Sequence, residues 1–414
     1  MNLLLCVRDA EVRLPVKIPG ESYNGSLMNL VSRTLLVNLL FCPPDLPAQP
    51  SPEAARTTSI EATKKAIQAE CNKAANGDWM LWYEMLTPFR TAIRPRVDAA
   101  VDNPRHSENN PSYTYGIMRW LTDPNQYVHA NTAITLGFVG DKGPLVWAKK
   151  TPMINIAVMM KSWLAARGIE LILVPVPVKA EIYPDKLIAD QKLVPEDLNV
   201  IPHMRRRYLE FLNAGVELID LYPLLMKERR ESNEPMYMVA DTHWMQKPQR
   251  IAAEQIAARL ERYPWVRTAQ GAPARYSEVI ERDRPTNAMF WEWLTPAERK
   301  AIEPLRLENI HKVVGAHGGR EAVVEAADSP VLLAGDSFTS YDYPLQAGIV
   351  GLLAKKLNQP ITLKRVAGAL DGIFKEMFRD PSMLKGKKVV VWMLNDEPVG
   401  RGDMWPKNFA LPRS

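Results

Sequence analysis

Residues 151–175 read TPMINIAVMMKSWLAARGIELILVP, and this stretch contains a helix, its stop and a buried strand in succession. Apolar residues recur in it at helical spacing: Met153, Ile156, Ala157, Met160 and Leu164. Gly168 follows them and is predicted to end the helix. The run Ile169–Pro175 is short and nearly all apolar, which is typical of a strand covered on both faces. The stretch therefore predicts one helix–strand unit of an α/β fold.

The same alternation continues downstream. Further strands are predicted at Val216–Leu221, Val331–Gly335, Ile361–Val366 and Lys388–Leu394. Helices are predicted between them, through Tyr208–Asn213 up to Gly215 and at Pro248–Leu260, Pro344–Leu357 and Asp371–Phe378. This order predicts a three-layer α/β fold, with a mostly parallel sheet flanked by helices on both faces. Ligands of such sheets bind beyond the carboxyl ends of the strands.

The rest of the chain divides by composition. We expect a leader or possible export signal and a linker at 1–50, and a helical N-terminal region at 51–130. The α/β domain follows at 131–405, with an insertion of loops and short helices at about 266–330. From Met28, one basic residue precedes the apolar run Thr34–Phe41, as in a short secretory signal. We therefore expect a periplasmic or exported protein, although no small-residue cleavage site follows the run.

Composition excludes several classes of function. The chain has 414 residues, of which 46% are hydrophobic and 24% charged, an ordinary globular balance. Its 52 basic and 47 acidic residues are well mixed, and the one dense basic run ends at Arg207, so nucleic-acid binding is not expected. Cys6, Cys42 and Cys71 have neither zinc-site spacing nor a disulfide framework. No metal and no cofactor is predicted.

A candidate nucleophile follows a predicted strand, in Gly335-Asp336-Ser337. A serine just past a buried strand can point its Oγ into the crevice at the sheet edge, and its N–H can form half of an oxyanion hole. The alternative is structural, with Asp336 or Ser337 capping the following turn. Position 339 is Thr, so the Gly-x-Ser-x-Gly elbow of α/β-hydrolases is absent.

A candidate base lies in Asp241-Thr242-His243-Trp244. Serine is a poor nucleophile unless a base takes its proton, and histidine is the usual base near neutral pH. A carboxylate two residues earlier can orient the other imidazole nitrogen. The alternative is a helix-start histidine with Asp241 as a cap. The remaining histidines lie in loops without a comparable carboxylate: His106, His129, His203, His311 and His317.

These two motifs resemble those of SGNH-hydrolase-like domains of the AlgX/AlgJ type, the alginate O-acetyltransferases. Asp-Thr-His-Trp is followed some 90 residues later by Leu333-Ala-Gly-Asp-Ser-Phe-Thr339, and Val174–Pro184 is similar to the strand and loop ahead of the histidine. Ordinary SGNH hydrolases begin with Gly-Asp-Ser and end with Asp-x-x-His. Here the Asp-His pair comes first, as in the circularly permuted alginate group. The three motifs span about 150–400.

The resemblance implies further site residues. Gly368 and Asn395 stand where SGNH proteins place oxyanion-hole donors, alongside Ser337. This chain lacks the arginine of the Trp-x-x-x-Glu-Arg string that the alginate group tends to carry near Asn395, so Asn395 is alternatively a strand-end turn residue. Substrate contacts are expected from Trp244, Tyr341 and Lys179, each of which is alternatively a packed residue.

The implied function is O-acetyl transfer to an extracellular or cell-envelope, alginate-like polysaccharide through an acyl-enzyme on Ser337. In the family this role implies export and a membrane O-acyltransferase that supplies the acetyl group. Two alternatives remain open at the level of sequence. The first is a carbohydrate acetylesterase with the same triad, in which water replaces the sugar. The second is a polysaccharide-binding or assembly protein with a degenerate site.

Overall fold

The computed structural model describes part of the chain, namely residues 5–7, 10–12, 50–93, 117–119, 127–129, 152–187, 190–194, 198–232, 234–239, 241–288, 291, 296–316, 321–341, 343–366 and 372–396. The chain divides into two units, 1–50 and 51–414. The described part of the first unit is an antiparallel pair, β1 (Leu5–Val7) and β2 (Ala10–Val12). The predicted export signal lies outside the described residues.

The centre of the second unit is a five-stranded sheet. Its strands are β5 (Glu170–Val176), β6 (Glu217–Leu218), β9 (Val331–Gly335), β10 (Thr362–Arg365) and β11 (Val389–Asn395). Every pairing is parallel, in the order β10-β9-β11-β5-β6. The last strand of the chain therefore lies in the middle, between the strand that precedes Ser337 and the strand that precedes Lys179.

The helices of this unit begin and end as follows: α1 Pro52–Ala75, α2 Trp79–Met85, α3 Pro152–Ala165, α4 Lys179–Ile182, α5 Pro202–Asn213, α6 Tyr222–Glu231, α7 Gln246–Leu260, α8 Pro264–Gly271, α9 Pro296–Ile302, α10 Ile349–Leu357 and α11 Gly372–Arg379. None of the helices in the described ranges is both long enough and apolar enough to cross a lipid bilayer.

Side chains alternate along the central strands between two cores. Leu171, Leu173 and Trp392 pack on one face with helices α1, α3, α5 and α11. Ile172 and Val391 pack on the opposite face with α6, α7 and α10. Because both faces are covered, the strands contain almost no polar residue, which is why they are visible in the sequence. The predicted three-layer, mostly parallel architecture is confirmed.

The predicted helix stops are also found. Gly168 and Gly215 have φ values of +69° and +70°, which a residue with a Cβ rarely adopts. In each case the next N–H returns to a carbonyl in the last helical turn, from Ile169 to Leu164 and from Val216 to Phe211, both at 3.0 Å. The chain thus leaves each helix directly into the following strand.

Two regions differ from the sequence-based expectation. The insertion contains a long antiparallel hairpin, β7 (Tyr276–Pro285) and β8 (Leu307–Gly315), rather than only loops and short helices. Most side chains of β7 are exposed, so the strand lacks the apolar alternation that would predict it. Within the region expected to be helical, β3 (Ile117–Arg119) and β4 (Tyr127–His129) instead form an antiparallel pair.

Candidate active site

Ser337 begins a short 3₁₀ turn, Ser337–Thr339, immediately beyond β9. Asp336 caps this turn, because its Oδ1 accepts from the N–H of Phe338 at 2.9 Å. Its Oδ2 accepts from the N–H of Asn395 at 3.0 Å, at the end of β11. Burial raises the pKa of Asp336, and these N–H donors oppose that rise. One carboxylate therefore joins the nucleophile turn to the neighbouring strand.

Gly335 is required by the close approach of β11. A Cβ built at this position would lie 2.0 Å from the carbonyl oxygen of Met393 and 2.7 Å from Cγ2 of Thr339. Both strands are central, and Gly335 pairs with Met393 in the parallel register. Any larger residue would push the Ser337 turn away from the sheet.

The candidate base lies in a tight turn between α6 and α7. Met238 donates its N–H to the carbonyl of His243 at 3.0 Å, and Met245 donates to Met236 at 2.9 Å, so the chain folds back on itself. Within the turn, Oδ1 of Asp241 accepts from the N–H of His243 at 3.1 Å. The same residue that faces the imidazole therefore also fixes the backbone that carries it.

The structure brings Asp241, His243 and Ser337 together in one chain of contacts. Nδ1 of His243 lies 2.6 Å from Oδ1 of Asp241, and Nε2 lies 2.8 Å from Oγ of Ser337. Asp241 is fully buried and His243 is 4% exposed, whereas Ser337 is half-buried. The buried carboxylate favours the tautomer with its proton on Nδ1, which leaves the Nε2 lone pair for the serine proton.

Lys179 binds the turn that carries Asp241 and does not face a substrate. It is 5% exposed, and its Nζ donates to the carbonyls of Met238, Val239 and Asp241 at 2.7, 3.1 and 3.3 Å. Burial lowers the pKa of Lys179 to about 7, while the charge of Asp241 favours the ammonium form. The expectation of a substrate contact is corrected: the ammonium group holds the turn that presents Asp241.

Tyr341 covers the imidazole. Its ring stacks on that of His243 with centroids 3.6 Å apart and 15° between the planes. Its hydroxyl donates to Oδ2 of Asp241 at 3.2 Å, and Asn287 of the insertion donates to the same hydroxyl. Tyr341 thus contacts both the base and its orienting carboxylate. A substrate contact by the half-buried Tyr341 remains a prediction.

Trp244 is packed rather than presented to a sugar. It is 2% exposed, and its Nε1 donates to the carbonyl of Phe338 at 3.1 Å. Its ring contacts the ring of Phe338 edge to face, with centroids 5.8 Å apart. The substrate contact expected from Trp244, which would be stacking on a sugar face, is therefore replaced by a structural role. Trp244 fixes the turn that carries Ser337 against the turn that carries His243.

Of the three predicted oxyanion donors, the structure places the backbone N–H of Ser337 beside the nucleophile. The N–H of Ser337 opens its 3₁₀ turn and donates to no acceptor among the residues that the structure describes. Gly368 lies outside those residues. Asn395 ends β11 at the same edge, and its N–H is engaged by Asp336. A role for the side chain of Asn395, and for Gly368, stays a prediction.

The arrangement suits nucleophilic acyl transfer. A neutral imidazole within hydrogen-bond distance of a serine hydroxyl can take its proton as the oxygen attacks a carbonyl carbon. In the described part of the chain, no three His, Cys, Asp or Glu side chains are grouped so as to hold a metal ion.

Sequence reasoning did not find the roles of Lys179 and Tyr341 in supporting Asp241. Lys179 contacts carbonyl groups about 60 positions away, and Tyr341 contacts a carboxylate 100 positions away. A backbone carbonyl leaves no residue-type signal in the sequence. The aromatic ring four positions after Ser337 was the visible sign, and its partner could be known only from the fold.

Comparison with known proteins identifies the family. Residues 147–396 match the family model described as "SGNH hydrolase-like domain, acetyltransferase AlgX". The chain is 23% identical over 275 residues to the probable alginate O-acetylase AlgJ of Pseudomonas fluorescens, a match to 64% of this chain and 61% of that protein. The chain thus spans less than two thirds of the length of this curated relative.

A solved structure shares the fold. The O-acetyltransferase domain of Pseudomonas putida AlgJ superimposes with a TM-score of 0.51 at 16% identity, covering 69% of this chain and 92% of that domain. At this identity the likeness concerns the arrangement of helices and strands.

Proposed function

We propose, because this chain belongs to the family of SGNH hydrolase-like domains of acetyltransferase AlgX, that it transfers acetyl groups to hydroxyl groups of an alginate-like polysaccharide. The observation that carries the proposal is the continuous contact from Asp241 through His243 to Ser337. The name of the curated relative, an alginate O-acetylase, supports the choice of reaction and of acceptor.

In the first half-reaction, Oγ of Ser337 attacks the acetyl carbonyl carbon of the donor while Nε2 of His243 takes the hydroxyl proton. The N–H of Ser337 donates to the oxyanion that forms, with Gly368 and Asn395 as the proposed further donors. The donor's leaving group departs with the proton of His243, and an acetyl ester remains on Ser337.

In the second half-reaction, a sugar hydroxyl gives its proton to His243 and its oxygen attacks the acetyl ester. The bond to Ser337 breaks, and the serine oxygen recovers the proton from the imidazole. Asp241 stays ionised throughout and stabilises the imidazolium that forms twice in the cycle. Every proton is returned, so the enzyme is unchanged at the end.

The proposal includes export and a donor partner. We place the protein in the periplasm, where an alginate-like chain would be accessible. A membrane O-acyltransferase supplies the acetyl group there. The pattern at Met28–Phe41 supports export, since one basic residue precedes a short apolar run.

The test is acetyl transfer from p-nitrophenyl acetate to deacetylated mannuronate oligosaccharides, followed by mass spectrometry. Ser337→Ala removes the nucleophile and should abolish transfer. Ser340→Ala is the matched control, because Ser340 directly follows the same turn and bonds described residues through its backbone, its N–H to Ser337 and its carbonyl to Arg365.

The outcomes separate the three functions. Acetylated oligosaccharide that depends on Ser337 supports the transferase. Release of acetate to water with every acceptor tried, again dependent on Ser337, makes the protein an esterase. Turnover that survives Ser337→Ala removes this serine from the mechanism, and absence of any turnover with retained glycan binding indicates a degenerate site.

A further inference from the structure

Two buried carboxyl groups, those of Glu181 and Asp396, follow neighbouring strands of the sheet. Glu181 belongs to α4, which follows β5, and Asp396 directly follows β11; these two strands are paired neighbours in the sheet. Glu181 is 1% exposed and Asp396 is fully buried. The charge of Asp396 acts on Glu181, so the two carboxyl groups are neighbours in the interior. Two ionised carboxylates side by side in the interior repel, and a proton between them removes that repulsion.

The hydrogen bonds of the pair point to the same conclusion. Asn199 donates to Oε1 of Glu181, and the hydroxyl of Tyr208 donates to Oδ1 of Asp396. Oε2 of Glu181 and Oδ2 of Asp396 receive no donor from the described residues. A proton held between these two oxygens satisfies both, whereas two ionised groups would leave two buried acceptors without a donor.

Surrounding charges do not compensate a doubly ionised pair. Arg205 is the cation whose charge acts on both carboxyls. It is bound to Asp220 through Nη1 at 2.9 Å and Nη2 at 2.6 Å, and to Glu70 through Nε at 2.8 Å. Two carboxylates already share this single guanidinium. Three phenols among the described residues also interact with Glu181 or Asp396, those of Tyr208, Tyr222 and Tyr237.

Burial raises the pKa values of both carboxyl groups. It raises the pKa of Asp396 to about 7 and holds that of Glu181 well above its ordinary value, and the charge of Asp396 raises the pKa of Glu181 further. The two groups interact, so their protons leave in steps that belong to the pair.

Each member of the pair is connected to one half of the triad. Asp396 follows Asn395, whose N–H holds Asp336 and thereby the turn of Ser337. Glu181 lies in the same four-residue helix as Lys179, whose ammonium holds the turn of Asp241. The contact between the carboxyls joins the two supports at the carboxyl ends of neighbouring strands.

We infer that Glu181 and Asp396 share one proton and act as a positioning pair. The pair keeps the turn that carries Ser337 and the turn that carries Asp241 at a fixed distance from each other. Loss of the shared proton places two negative charges side by side in the interior and drives the two supports apart. The catalytic consequence rests on the proposed acyl-transfer function. The existence of the shared proton does not rest on that function, and it can be measured without substrate.

The sign of the stability effect follows from the raised pKa values. The folded pair binds more protons than the same groups in the unfolded chain, so its contribution is complete below about pH 4 and is lost as pH rises through about 7 and above. Lys179 has a lowered pKa, so its contribution changes in the opposite direction and cannot imitate that of the pair.

The first experiment compares thermal unfolding of the wild type and Glu181→Gln. A glutamine amide can donate to Oδ2 of Asp396 while its oxygen still accepts from Asn199, so the contact no longer needs a shared proton. Between about pH 5 and about pH 8.5, the melting temperature of Glu181→Gln should rise relative to the wild type by about 3 °C or more. Asp396→Asn should behave in the same way. A constant difference across this range overturns the shared proton.

Infrared difference spectroscopy gives an independent measurement. The wild type should show a protonated-carboxyl C=O band near neutral pH that is lost in alkaline buffer. The band should be absent from the double variant Glu181→Gln/Asp396→Asn. A wild-type spectrum that matches the double variant at every pH also overturns the proposal.

The activity measurement tests the positioning role. The turnover number of the wild type should fall in alkaline buffer with little change in KM. The fall should be smaller in Glu181→Gln, where the Lys179 ammonium still titrates but the carboxyl pair does not. Glu181→Ala, which leaves Asp396 and Asn199 without this partner, should lose turnover at every pH. If the unfolding and infrared results hold while both variants keep the wild-type pH profile, the shared proton stands and the positioning role is rejected. If neither the wild type nor any variant turns over an acyl donor, the proposed function fails. The unfolding and infrared measurements still show whether the proton is shared.

Discussion

Replacement of Gly335 by alanine should damage both stability and turnover. The added Cβ would meet the carbonyl oxygen of Met393 at 2.0 Å, whereas ordinary contact begins at 3.4 Å, so a separation of 1.4 Å (3.4 − 2.0) must be gained. β9 lies between β10 and β11 and is hydrogen-bonded to both, so it cannot retreat without breaking a ladder. The turn that carries Ser337 is the segment free to move.

The size of the effect follows from this geometry. Overpacking a rigid interior costs typically about 1–3 kcal/mol, and a clash with backbone in a central sheet belongs at the upper end. A loss of about 3 kcal/mol lowers the melting temperature by about 6–12 °C. Because Oγ of Ser337 lies 2.8 Å from the imidazole, a shift of about 1 Å should reduce turnover about 100-fold.

Differential scanning calorimetry and hydrolysis of p-nitrophenyl acetate measure the two effects. Gly271→Ala is the matched control, since a Cβ there meets no atom within 4 Å and Gly271 lacks a positive φ. This control should melt within about 2 °C of the wild type and keep its activity. If Gly335→Ala behaves like Gly271→Ala, the close approach of the strands does not constrain the nucleophile, and the reasoning fails.

Three further substitutions test individual contacts. Asp241→Asn should lower the turnover number by about 10³–10⁴-fold with little change in KM, because an amide favours the wrong imidazole tautomer; stopped-flow measurement of a loss below tenfold contradicts this role. Tyr341→Phe keeps the stacked ring but loses the hydroxyl at 3.2 Å from Asp241, so steady-state turnover should fall about 3–10-fold, and unchanged turnover makes that contact irrelevant. Trp244→Phe removes the donor to the carbonyl of Phe338 and should cost about 1–3 kcal/mol in denaturant unfolding, while the KM for oligosaccharide stays the same; a raised KM would restore the sugar-stacking role.

The parts of the fold that the sequence predicts are those buried on both sides. The strand at Val331–Gly335 has no polar residue and the run Ile169–Pro175 has one, Glu170, so their apolar pattern is visible without knowledge of the fold. The hairpin β7–β8 is missed for the opposite reason. Its first strand, β7, is mostly exposed and owes its shape to backbone pairing with β8, and that pairing imposes no apolar period on the side chains of β7.

The residues of the site also divide into those that the sequence predicts and those that it does not. Asp241, His243 and Ser337 are recognisable because the chemistry itself demands these residue types, and motif order completes the assignment. The chemistry does not require any particular residue type at the positions that support the triad. Lys179 was expected at the substrate, with a packed residue as the alternative, and the three carbonyls that bind its ammonium make its burial possible. The carboxyl pair of Glu181 and Asp396 depends likewise on the adjacency of two strands that are far apart in the chain.

Covalent labelling with a fluorophosphonate, followed by peptide mapping, tests the activated serine most directly. The hydroxyl of Ser337 is reactive only if His243 takes its proton, so label should be found on the peptide that contains Ser337 and should be lost in His243→Ala. Label on another serine, or equal labelling of Ser337 without the imidazole, would contradict the account.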